Sequence, residues 1–87
     1  MSTPTPSQVQ ERLAALYAAI AEQRLFHLVR TERRDQMVTL HFRRRHSVFC
    51  LQRREQDGQV DYIMLHDGER ARSTMLREMW QDLQALA

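Results

Sequence analysis

Residues 48–65 read VFCLQRREQDGQVDYIML, two apolar-rich runs on either side of Asp57-Gly58. Asp-Gly between alternating apolar residues is the strongest short-range hairpin signal, because a two-residue turn that matches strand twist needs positive φ at both central positions. With Asp57 and Gly58 in the turn, Leu51 faces Met64, Arg53 faces Tyr62 and Arg54 faces Asp61. Upstream, an even-length turn centred on Arg44-Arg45 places Leu40 opposite Phe49 and Val38 opposite Leu51. Together the two registers gather Val38, Leu40, Phe42, Phe49, Leu51, Val60, Tyr62 and Met64 on one face of an antiparallel meander. A three-residue loop at Arg33-Arg34-Asp35 adds Phe26 and Leu28 to that face as a fourth strand.

Helices are expected on both sides of this segment. Thr5-x-x-Gln8 and Ser7-x-x-Gln10 both match the capping box, and Pro6 suits a first helical position, so a helix starts near residue 6 or 7. Val9, Leu13, Leu16, Tyr17 and Ile20 form its apolar stripe. Leu25, Phe26, Leu28 and Val29 fall off that stripe, so the helix ends near Glu22 to Arg24. A second helix is expected from Asp67, read as its N-cap, with Met75, Leu76, Met79, Trp80, Leu83 and Leu86 facing inward. The fold class that results is α+β in two layers: N-terminal helix, three- or four-stranded antiparallel meander, C-terminal helix, both helices on the sheet. Residues 1–6 read as a flexible leader and residues 7–87 as a single domain.

At 87 residues there is room for one core, and a chain of this size gains from a partner that adds buried surface. One cysteine, Cys50, permits no internal disulfide, and the first residues carry no signal-peptide pattern, so a cytoplasmic location without a membrane span is expected. All thirteen basic residues are arginine, with eleven acids, for a net charge of +2. Residues 24–54 hold nine of those arginines and two acids, whereas residues 55–87 hold three arginines and seven acids.

Such a basic block suits phosphate, which guanidinium binds bidentately, so Arg43, Arg44, Arg45 and His46 are candidate nucleic-acid contacts. Arg33, Arg34, Arg53 and Arg54 belong to the other end of the strands, roughly 25 Å away, among acids that offset them. His41 and His46, with Asp67 across Val48, are the one enzymatic grouping, suited in principle to a metal or to acid–base cleavage of a phosphodiester. Their spacing matches no compact ligand motif. Cys50 has Thr39 and Leu65 as expected neighbours and reads as an inert thiol.

More telling is the second face of the sheet. It carries Met37, Thr39, Val48, Cys50, Ile63 and Leu65, an apolar strip left uncovered if both helices lie on the first face, and such strips mark interfaces. The alternative is one helix on each face. The order helix, three strands, helix resembles that of double-stranded-RNA-binding domains and of the small toxin ribonucleases that share their fold. Where those carry a lysine-rich motif or a Gly-Ser-His motif, this chain has Gly68-Glu69-Arg70-Ala71-Arg72 and Arg45-His46-Ser47, so no family is assigned. The expectation is a small non-catalytic regulatory or adaptor module. It works by protein–protein contact, self-associates through the second face and needs no cofactor; nucleic-acid binding through Arg43–Arg45 is the alternative.

Overall fold

Thr5 opens the first helix as its spacing predicts. Its Oγ1 accepts from the Gln8 N–H at 3.2 Å, and the Gln8 side-chain oxygen accepts from the Thr5 N–H at 2.9 Å. In this computed structural model, which describes residues 3–86, helix α1 runs Pro6–Ala21. Of the leader, Met1 and Ser2 lie outside the described residues, and Thr5 and Pro6 belong to the helix start. At the other end the Arg24 N–H reaches the Ala19 carbonyl and the Gln23 N–H the Ile20 carbonyl, a Schellman closure that requires left-handed backbone at Gln23 (φ 60°). Glycine adopts that conformation without steric cost, so Gln23→Gly is expected to raise stability by about 0.5–1 kcal/mol, read as a higher melting temperature.

Five antiparallel strands follow in a simple meander, each paired with its neighbours in sequence: β1 His27–Arg34, β2 Met37–Arg44, β3 Ser47–Gln56, β4 Gln59–His66 and β5 Glu69–Arg70. Helix α2, Ser73–Gln84, closes the chain. At Asp57-Gly58 both residues have positive φ (52° and 78°), and the β3–β4 register is the predicted one, with Leu51 opposite Met64 and Arg53 opposite Tyr62.

Asp67-Gly68 does the same thing (54° and 79°), which corrects the reading of Asp67 as a helix N-cap. The dipeptide turns the chain into β5, pairing Leu65 with Arg70, and α2 starts six residues later with Arg72 at its N-cap. The strand count is therefore five, beyond the three of the RNA-binding-domain order.

Two upstream registers also differ from expectation. The β2–β3 turn is Arg45-His46, with Arg45 at φ 58°, so Leu40 faces Leu51 and Phe42 faces Phe49. The slip is two residues, an even number, and every side chain keeps its face. Between β1 and β2 the turn is Asp35-Gln36, one residue shorter than expected. A register irregularity between Leu28 and Arg30 absorbs the difference and returns Leu28 to the core side, opposite Phe42.

Both helices lie on the face that the registers assemble. Leu13, Leu16, Ala19 and Ile20 of α1 and Met79 of α2 pack with Leu40, Phe42, Phe49, Leu51 and Met64 in one buried cluster. Arg44, on the same face as Phe42, runs under α2 and donates to Asp82 at 2.7 Å. Across the strands, Phe26, Phe42, Phe49 and His66 form a row of stacked rings with centroids 4.6–5.5 Å apart. The alternative of one helix on each face is thereby excluded, and the second face has no helix over it.

Candidate functional site

The open face is a grid set by the strand registers. At the end nearest the Asp35 turn, Arg34, Met37, Arg54 and Asp61 share a row. Next come Glu32, Thr39, Gln52 and Ile63, and then Arg30, His41, Cys50, Leu65 and Arg70. His27, Arg43 and Val48 stand at the far end. All six residues predicted for this face are on it. Val48 is 53% exposed, whereas Thr39 at 7% is covered by its neighbours and offers little surface. None of the six aromatic residues, Tyr17, Phe26, Phe42, Phe49, Tyr62 and Trp80, is on it.

At the centre, three side chains from three strands are linked in series. His41 Nε2 lies 2.8 Å from the Glu32 carboxylate, and His41 Nδ1 lies 3.2 Å from Cys50 Sγ. The carboxylate only accepts, so in the neutral imidazole Nε2 carries the proton and Nδ1 presents its lone pair to the thiol, which donates. Arg30 pairs with the same Glu32 carboxylate at 2.7 Å. Burial pushes the Cys50 thiol above its ordinary range, the Glu32 charge adds to that, and Arg30 opposes it. At neutral pH the sulfur is therefore a thiol with a base already in hydrogen-bond contact.

Glu32, Arg34, Met37, Thr39, His41, Cys50 and Gln52 line a shallow hollow of about 260 Å³ over this series. The series went unseen in the sequence because the β2–β3 register derived there set Cys50 against Thr39. Moving the turn to Arg45-His46 brings Cys50 opposite His41, and no glycine or asparagine marks that turn.

The predicted nucleic-acid cluster does not stay together. Arg43 is exposed on the open face, Arg45 and His46 are exposed in the turn, and Arg44 points the other way. The Arg44 side chain is only 10% exposed and is held by Asp82 and, at 3.6 Å, by Glu78. These two α2 acids are its partners.

Nor do His41, His46 and Asp67 meet. Asp67 sits in the β4–β5 turn beside His66, at 3.6 Å, and His46 is in a different turn. Among the described residues no group of three or more His, Cys, Asp or Glu is placed to hold a metal ion. Glu32 and Cys50 in particular approach opposite nitrogens of the His41 ring and do not converge. A second hollow, about 520 Å³, lies between the helices and is lined by Val9, Arg12, Leu76, Arg77 and Trp80 among others; Arg12 there lies over the Trp80 ring at 5.4 Å.

No known protein family matches the chain, and neither does any curated protein or solved structure. Among the described residues, no helix is long and apolar enough to cross a membrane.

Proposed function

We propose that the protein is a small non-catalytic module that works by protein–protein contact and self-associates through the open face of its sheet. The observation that carries this is the placement of both helices on the opposite face, which leaves Met37, Val48, Cys50, Ile63 and Leu65 without a covering layer. Two sheets stack face to face about 10 Å apart when their inner faces are apolar, the arrangement of a β-sandwich.

Four long strands, three of 8 residues and one of 10, at about 4.8 Å spacing give a face of roughly 400–500 Å². Two copies then bury about 1,000 Å², the low end for a specific interface, so the association is weak and concentration-dependent.

Light scattering coupled to size exclusion, over a concentration series, is the test. The expected mass rises from that of a monomer toward a dimer, and Ile63→Asp holds the chain monomeric with unchanged circular dichroism. A wild type that stays monomeric at every concentration overturns the reading. Retention on DNA or RNA that weakens with salt and falls in an Arg43→Ala/Arg45→Ala variant would instead favour a nucleic-acid binder. The absence of aromatic side chains on this face weighs against that alternative, because sheet surfaces that bind single strands stack bases on exposed rings.

A further inference from the structure

We infer that Cys50 is a thiol–disulfide exchange site, with His41 as its base and Glu32 as the residue that orients His41, and that its substrate is a small disulfide bearing carboxylates. The geometry has the parts of a nucleophilic series in order: thiol, imidazole Nδ1 at 3.2 Å, and a carboxylate at 2.8 Å from Nε2. Because the resting sulfur is a protonated thiol, the base acts during attack. The S–H proton passes to Nδ1 as Cys50 Sγ bonds to one sulfur of the disulfide, the S–S bond breaks, and its electron pair leaves with the other sulfur. That thiolate takes the proton back from His41, so Cys50 is oxidised to a mixed disulfide and the small disulfide is reduced to one free thiol. Glu32 stabilises the imidazolium formed along the way.

The strand pairing around Cys50 favours this chemistry over acyl transfer. Cys50 lies on the central strand β3, paired on one side with His41 and on the other with Leu65, so the backbone amides around it are committed to the ladder. An acyl intermediate needs donors aimed at its oxyanion and the amides here are not free to supply them, whereas displacement at sulfur develops no oxyanion. A small disulfide can reach the sulfur from the shallow hollow over Cys50, about 260 Å³, and Arg34 lines it. Arg34 makes no ion pair among the described residues, which leaves its guanidinium free for a carboxylate on the incoming molecule.

This assignment does not rest on self-association and involves no turnover, since each chain ends as one mixed disulfide, although a group attached to Cys50 would stand on the same face and oppose stacking. Exchange is followed on the wild-type chain with a chromogenic nitrobenzoate disulfide and, by intact mass, with oxidised glutathione, at several protein concentrations extrapolated to high dilution. The expected rate reaches a plateau at a pH where Cys50 is still protonated and rises again only when the thiol itself ionises. A rate that climbs in simple proportion to thiolate, with no plateau, overturns the proposal, and that result requires no variant.

His41→Gln is expected to slow exchange at pH 7 about 100-fold, the lower end of what a positioned base contributes, and to remove the plateau. Glu32→Gln gives a smaller loss with the plateau displaced. An unchanged rate in a folded His41→Gln chain overturns the role of the base. Arg34→Met is expected to lower the preference for oxidised glutathione over neutral bis(hydroxyethyl) disulfide, and an unchanged preference overturns the substrate class. Association without exchange, or exchange without association, separates this site from the proposed function.

Discussion

Phe42→Ala is expected to destabilise the chain by about 3–5 kcal/mol, enough to leave it largely unfolded at 37 °C. The ring is fully buried and stacks on Phe26 at 5.4 Å and on Phe49 at 5.5 Å, in the middle of a row that crosses from β1's start to β4. Truncation removes both stacking contacts and opens a cavity under the helices that main-chain movement cannot fill, because Phe42 lies on β2, held by ladders on both sides. An 87-residue chain has about 4–13 kcal/mol of total stability, so a loss of this size approaches the whole. Phe42→Leu, which keeps most of the volume, should cost only about 1–1.5 kcal/mol. Urea denaturation followed by circular dichroism checks both. A Phe42→Ala chain that unfolds within 1 kcal/mol of the wild type, on the scale set by core truncations, would mean that the ring row is not the centre of the core.

What could be read from the residues, and what could not, divides along the nature of the turns. Asp57-Gly58 states its own geometry, since both positions demand positive φ, and the β3–β4 register followed without error. The identical Asp67-Gly68 carried the same information but was read through the helical stripe that follows it; Asp at an N-cap and Asp in a two-residue turn are the same letter in two local contexts. Arg45 and Asp35 adopt positive φ without a glycine, so their turns left no mark in the sequence beyond polarity.

The apolar face survived because the β2–β3 slip was even and the β1 irregularity restored parity. The chemistry of the open face did not survive. It depends on which residue is opposite which, and a shift of two places separated His41 from Cys50. Arg44 shows the reverse: three consecutive arginines look alike in sequence, but strand alternation sends the middle one under α2 to Asp82 while Arg43 stays in solvent.

Gln10→Ala is expected to cost about 2 kcal/mol. Strand β4 has β3 on one side, but β5 covers only Leu65 and His66 on the other, and the Ala71 N–H extends that cover to the Met64 carbonyl. The outward amide and carbonyl of Tyr62 are met by a side chain from α1: the Tyr62 N–H donates to Gln10 Oε1 at 2.8 Å, and Gln10 Nε2 donates to the Tyr62 carbonyl at 3.0 Å. A carboxamide thus takes the place of the next strand and docks α1 in register with the sheet. Truncation leaves a donor and an acceptor unpaired in a partly buried position and exposes a strand edge.

Gln10→Glu sharpens the test. A glutamate there still accepts from the Tyr62 N–H, but when ionised it sets its second oxygen against the Tyr62 carbonyl, so folding favours its protonated form and raises its pKa. The sign follows: the difference from wild type is small below the unfolded carboxyl pKa, where the protonated group donates as Gln10 does, and grows as pH rises through the folded value. Urea midpoints for wild type, Gln10→Ala and Gln10→Glu at pH 4 and pH 7 check this. A glutamate variant equally stable relative to wild type at both values would mean that the carbonyl contact at Tyr62 contributes nothing to holding α1 on the sheet.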